Sequence, residues 1–249
     1  LLELNGYDKQ MALVINNGQT RYESGKSLLM RANDHRLILM YPDKNLGYFG
    51  GADWGLKEYL KNNYLPEWII ISNNDIEILD PNFFLKLVKY HEINPPAVIA
   101  PDIQLRASCL FSTSPIHQNP HMVKRPSRGY LIFMKWIATL YPLYVSYDIC
   151  SVLKRKIIND NNKFNHNSRS QNDSPLEIYA PFGAFIIFHR SYFENNGDLK
   201  YGSFLFGEEI YIAERLRELK MKVVYDSRLR LIHNEHSTLM RISSRIQAS

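Results

Sequence analysis

The chain has 249 residues, 45% hydrophobic and 22% charged, enough for one α/β domain with a sizeable core and too apolar for a disordered chain. A formal net charge of +5 suits an anionic ligand or an anionic lipid surface, while no basic-aromatic module or helix-turn-helix pattern points to nucleic acid. The two cysteines, Cys109 and Cys150, form no CxxC pair, which argues against a disulfide scaffold or a zinc site and for a reducing compartment.

In chain order, the opening "LLELNGYDKQ" reads as the end of a helix entering a strand, as if an earlier strand and helix were missing, and no signal-peptide pattern is visible. "MALVIN" (11–16), "LILMY" (37–41), "WIIIS" (68–72) and "AVIAP" (97–101) are short, branched apolar runs expected to be buried strands. Between them 51–63 and 81–94 read as helices, the second carrying Phe84, Leu87 and Val88 at helical spacing. This alternation predicts a mostly parallel sheet with helices on both faces, in which ligands bind at the carboxyl ends of the strands. The pattern breaks from about 104 to 176. It resumes with a strand in 178–190, a helix over 207–220 with an apolar stripe of Ile210, Ala213 and Leu216, and strands at 222–226 and 229–234.

Four places can carry chemistry. "IIISNNDIE" (69–77) stops an apolar run at Asn73, Asn74 and Asp75; these are turn formers, yet a carboxylate there can also hold a hard divalent cation beside a diphosphate. "NLGYFGGADWG" (45–55) crowds Gly47, Gly50, Gly51 and Gly55 where a loop meets a helix, which allows close backbone approach and anion binding at the helix N-terminus. Its order is not GxGxxG, so a Rossmann dinucleotide site is not supported. Glu208 and Glu209 open a helix, where the dipole alone accounts for acids but a pair can supply a general base. His233 closes a strand and gains meaning only from its company.

That company is Asn16-Asn17-Gly18 after a strand, NLGxxGGxxxG at 45–55, Asn73-Asn74-Asp75, Gly183-Ala184, Gly207-Glu208-Glu209 and His233, in that order. The series resembles family 2 glycosyltransferases of the GT-A fold, in particular the rhamnosyltransferase-like branch of bacterial surface polysaccharide synthesis, over nearly the whole chain apart from 104–176. The resemblance implies a single glycosyltransferase domain over 1–249 with a variable insert at about 104–176. It implies Asp75 as ligand to Mg2+ or Mn2+, His233 at the metal or diphosphate, and Glu209 as base with Glu208 its neighbour, the choice between the two staying open. Asn16, Asn17, Asn45, Gly47, Gly51, Asn73 and Asn74 would line the donor site. Asn16 replaces the usual Asp, which leaves the nucleobase open. The implied reaction is inverting transfer from a nucleoside-diphosphate sugar to a hydroxyl of a glycan or lipid-linked acceptor.

Within the insert, the apolar segment 129–150 is broken by Lys135, Pro142 and Asp148, so a transmembrane span is not expected. Basic clusters (Lys124, Arg125 and Arg128; Lys154, Arg155 and Lys156) flank it, which suits an interfacial helix on an anionic leaflet and a cytoplasmic chain on the inner face of the membrane. A core or dimer helix pair explains the segment equally well. Two rival classes stand beside the transferase: a non-catalytic sugar-nucleotide or glycan-binding relative, and a nucleotidyltransferase, for which the usual glycine-rich basic signature near the N-terminus is not seen.

Overall fold

The computed structural model describes residues 12–15, 37–90, 95–105, 116–129, 132, 174–202 and 207–234. The chain forms two compact units, one from Leu1–Val123 with Pro175–Ser249 and the other Lys124–Ser174. Of the apolar segment 129–150 only 129 and 132 are among the described residues, so the interfacial-helix expectation lies outside them, as do the N-terminal ten residues, Cys109 and Cys150. No helix of the described residues is long and apolar enough to cross a membrane.

Nine strands and four helices make up the described part: β1 (Ala12–Ile15), β2 (Leu37–Met40), α1 (Tyr48–Leu60), β3 (Trp68–Ser72), β4 (Ile76–Ile78), α2 (Phe83–Lys89), β5 (Val98–Leu105), β6 (Ile116–His117), β7 (Leu176–Ile178), β8 (Phe185–His189), α3 (Arg190–Glu194), α4 (Glu208–Glu218) and β9 (Val223–His233). β1 and β2 form a parallel pair. The main sheet runs β3-β8-β5-β9-β4, with β6 on β5 and β7 on β9.

Pairing in this sheet is mixed where mostly parallel pairing was expected: β5 and β9 are parallel, whereas β3–β8, β5–β8, β4–β9, β5–β6 and β7–β9 are antiparallel. The reason is that β8, far along the chain, inserts between β3 and β5, which consecutive crossovers would otherwise have made neighbours.

Two cores flank the sheet, and strand alternation distributes side chains between them. On one side Ile186 and Phe188 of β8 and Val98 and Ala100 of β5 meet Phe49 of α1, Tyr192 of α3, and Ile212 and Leu216 of α4. On the other, Phe185, Ile187, Ile99 and Ile103 meet Phe83 and Leu87 of α2. All five residues of β8 are buried, so Phe-Ile-Ile-Phe reads as an unbroken apolar run rather than an alternating one, closed by the buried polar His189. In α4 the buried stripe is Ile212, Ala213 and Leu216, not Ile210, and in α2 it is Phe83 and Leu87.

Tyr192 is fully buried, its ring 5.2 Å from Phe188 and 5.1 Å from Phe193, with its hydroxyl donating to the Asp198 carbonyl oxygen at 2.8 Å. Tyr192→Ala removes ring packing and leaves that carbonyl without its donor. It is expected to cost about 3–5 kcal/mol, seen as a lowered urea midpoint.

Candidate active site

The end of β3 turns where its sequence suggested. Asn73 N–H donates to the Ala184 carbonyl at 2.9 Å, carrying the β3–β8 ladder one residue past the strand. The chain then turns at Asn74 and Asp75 into β4, and Asn234 N–H, at the end of β9, donates to the Asp75 carbonyl oxygen at 2.8 Å. Asp75 is therefore a turn residue and a carboxylate presented at a strand's carboxyl end.

His233 meets it from β9. Only 5% exposed, it places Nε2 3.2 Å from Asp75 Oδ1, and its Nδ1 lies 2.8 Å from Gln118 Oε1. An amide oxygen only accepts, so Nδ1 is the donor toward Gln118 and Nε2 is the nitrogen turned toward Asp75. Asp75 Oδ1 is buried and accepts no hydrogen bond. A carboxylate oxygen and an imidazole nitrogen facing each other are donor types that suit a cation taking mixed oxygen and nitrogen ligands, as Mn2+ or Mg2+ does with few protein groups and several phosphate or water oxygens. Among the described residues no three His, Cys, Asp or Glu side chains gather into a larger metal group.

The carboxylate pair stands at the N-terminus of α4, after Gly207, whose φ of 103° is one that side-chain-bearing residues rarely adopt. Glu208 is 6% exposed, while Glu209 is half-buried against Gly183, where an added β-carbon would lie 2.6 Å from Glu209 Oε1. The glycine is what admits the carboxylate. From the other side Tyr48, the first residue of α1, donates its hydroxyl to the Gly183 carbonyl oxygen at 2.9 Å. Burial, and then the charges of Glu208, Glu209 and Asp75, push the Tyr48 phenol far above its ordinary range, so it stays a neutral donor. Tyr48 at the start of α1 thus feels the charges of Asp75 after β3 and of both glutamates of α4, while Gly50, Gly51 and Gly55, expected where a loop meets the helix, lie within α1.

The predicted donor-site residues divide as follows. Asn45 Oδ1 accepts from Gly47 N–H at 3.0 Å and shapes the loop that delivers Tyr48. Gly51 is buried within α1 and bonded back to the Gly47 carbonyl, a helix-packing position. Asn73 and Asn74 lie in the turn beside Asp75. Asn16 and Asn17 lie outside the described residues.

Sequence reasoning missed Tyr48, Gln118 and Asn119 as members of this locality, and it noted Gly183 without a role. The signals for Tyr48 and Gly183 were present, an aromatic among glycines and a glycine beside a buried strand. Gln118 and Asn119 fall in what was read as an insert. There His117 Nδ1 pairs with the buried Asp102 Oδ1 at 2.7 Å, Gln118 holds His233, and Asn119 donates to the Pro101 carbonyl at 2.8 Å while accepting from Phe182 N–H at 2.9 Å. Three consecutive side chains thus tie β5, β9 and the turn before β8 together. A separate cavity of about 350 Å³, lined by Val123, Tyr179, Ala213, Leu216, Met221 and Val223 among others, shares no residue with this locality.

A mixed sheet with helices on both faces and a carboxylate at the end of β3 defines a fold similar to that of GT-A glycosyltransferases. Among solved structures the chain is similar to GalNAc-T7 in its crystal structure with UDP, GalNAc and Mn2+, with a TM-score of 0.54 and 11% sequence identity over 90% of this chain. The chain spans 37% of the length of that one. No protein-family model and no curated protein sequence matches the chain.

Proposed function

We propose that this chain is a metal-dependent, inverting glycosyltransferase that moves a sugar from a nucleoside-diphosphate donor to a hydroxyl of a glycan or lipid-linked acceptor. The observation that carries the reading is the buried Asp75 Oδ1, without a hydrogen bond, facing His233 Nε2 at 3.2 Å at a strand's carboxyl end. The GT-A-like fold supports it, as does the neighbour that was crystallised with UDP and Mn2+. The motif order supports the finer assignment to a family 2, rhamnosyltransferase-like enzyme of cell-surface polysaccharide synthesis. Exposed Lys124, Arg125 and Arg128 would suit peripheral attachment to the inner face of an anionic membrane.

In the proposed mechanism Glu209 accepts the proton of the acceptor hydroxyl as that oxygen attacks the anomeric carbon. The nucleoside diphosphate departs from the opposite face, so configuration inverts. Tyr48, kept neutral, holds the Gly183 carbonyl and with it the surface against which the base rests. Asp75 and His233 would hold Mg2+ or Mn2+, which offsets the charge growing on the leaving diphosphate.

The test is nucleoside diphosphate release from a panel of sugar nucleotides with Mn2+, Mg2+ or EDTA. Release is expected from one donor, dependent on metal, and reduced about a hundredfold or more in Asp75→Ala. Release unaffected by EDTA and by that substitution would overturn the metal role. Pyrophosphate as product would point to nucleotidyl transfer instead.

A further inference from the structure

We propose that Asn119 is a positioning residue for the base, Glu209, and acts through the backbone of Phe182 and Gly183. This rests on the reading of Glu209 as base and adds what fixes the surface that the base lies against. Asn119 is 1% exposed and stands just past the end of β6. Both ends of its amide are used: Nδ2 donates to the Pro101 carbonyl oxygen of β5 at 2.8 Å, and Oδ1 accepts from Phe182 N–H at 2.9 Å. The partners fix the orientation of the amide, because a backbone carbonyl only accepts and a backbone N–H only donates. Asn119 is a crossbar between the central strand of the sheet and the turn that precedes β8.

Three consecutive residues of that turn touch both halves of the proposed site. The Phe182 ring lies 6.2 Å from the His233 ring. Gly183 accepts the Tyr48 hydroxyl at its carbonyl and leaves the room that Glu209 Oε1 occupies. The Ala184 carbonyl accepts from Asn73 N–H, two residues before Asp75. Tyr48 and Asn73 therefore hold the turn from α1 and β3, and Asn119 holds it on the upstream side. Peptide units are planar, so only the φ and ψ of Phe182 separate the nitrogen bonded to Asn119 from the unit that carries Gly183. The fit at Gly183 is close, with an added β-carbon only 2.6 Å from Glu209 Oε1, so a small backbone shift there reaches the carboxylate directly. A base displaced by about 1 Å can lose about a hundredfold in rate.

The test uses the full chain and the sugar nucleotide that the donor panel identifies, radiolabelled so that residual turnover is measurable. Turnover, donor KM and Mn2+ binding, the last by loss of the free-ion EPR signal, are measured for Asn119→Ala alone and in a Glu209→Gln background. Asn119→Ala is expected to lower kcat about tenfold to hundredfold, with donor KM and Mn2+ binding close to the parent's. It should cost little further once Glu209 is replaced. Asn119→Asp keeps the oxygen that accepts from Phe182 N–H and is expected to recover most of the lost kcat. A merely structural role predicts the reverse order, because a carboxylate oxygen would then oppose the Pro101 carbonyl. Full additivity with Glu209→Gln, or Mn2+ binding that falls with kcat, overturns the proposal, as does an Asn119→Ala variant that turns over like the parent. In each of those cases an inactive Glu209→Gln leaves the base reading standing. A Glu209→Gln variant as active as the parent, or a parent that turns over no donor, overturns both. Should Asn119→Ala fail to fold, as its circular dichroism would reveal, Asn119→Ser takes its place with the same readings, since its shorter hydroxyl cannot span both partners. If neither folds, Asn119 serves the scaffold as a whole and the positioning role is overturned.

Discussion

Glu209→Gln is expected to lower turnover by roughly two to four orders of magnitude while leaving the donor KM near that of the parent. The amide matches the carboxylate in size, so the packing against Gly183 persists, but it accepts no proton. Geometry favours Glu209 over its neighbour as the base. Glu208 is 6% exposed and points into the protein, whereas Glu209 is half-buried at the surface that Gly183 leaves open. Glu208→Gln is accordingly expected to have the smaller effect on turnover, with donor KM and Tm measured for both variants. A Glu208→Gln variant as inactive as Glu209→Gln, with an unchanged Tm, would reverse the assignment.

The second large effect is expected from Gly183→Ala, a single added methyl. Its β-carbon would lie 2.6 Å from Glu209 Oε1 and 3.2 Å from its Cδ, and what it meets is the end of a flexible side chain rather than backbone. The carboxylate therefore yields and the fold does not. Displacing a reacting group by about 1 Å can cost about a hundredfold in rate, so kcat is expected to fall by that order with little change in Tm. A double-mutant cycle separates this from general damage. If the methyl acts by moving the base, Gly183→Ala costs little further in a Glu209→Gln background. Full additivity would mean that Gly183 matters for some other reason.

The run at 185–189 was legible because burial on both faces leaves continuous branched and aromatic sequence, and the run at 68–72 by its branched residues although it is a half-buried edge strand. β4 was not, because Ile-Glu-Ile is too short to show a period and is fixed by pairing with a strand some 155 residues later in the chain. Partner choice was equally hidden: nothing local in 185–189 says that this strand lies antiparallel between β3 and β5. Of the site, Asp75, Glu208, Glu209 and His233 were legible as acids and a histidine at element ends. Tyr48, Gln118 and Asn119 act through long-range contacts to Gly183, His233 and Phe182, and only the fold brings those together. The last helix and two members of its buried stripe, Ala213 and Leu216, were legible; the third was not, since Ile210 and Ile212 are equally apolar and the packing surface decides between them.

The expectation of two strands at 222–226 and 229–234 touches a real irregularity. β9 is one strand, but it advances four residues, Asp226 to Arg230, while β5 advances one, Pro101 to Asp102. The surplus is held by Asp226, buried and bonded by Arg228 N–H at 2.9 Å, by the Arg228 guanidinium and by the Tyr90 hydroxyl, while Lys86 Nζ bonds the Arg228 carbonyl at 3.1 Å. A surplus of three is odd, and an odd surplus inverts the parity of every side chain after it. Val223 belongs to the core beneath α4, whereas Leu229 and Leu231 belong to the one beneath α2. Length changes in this excursion are thus not equivalent. Losing one residue would swing His233 to the wrong side of the sheet, while losing two would keep its side and only tighten the loop. The reach of His233 toward Asp75 is set by whether a short count is odd or even.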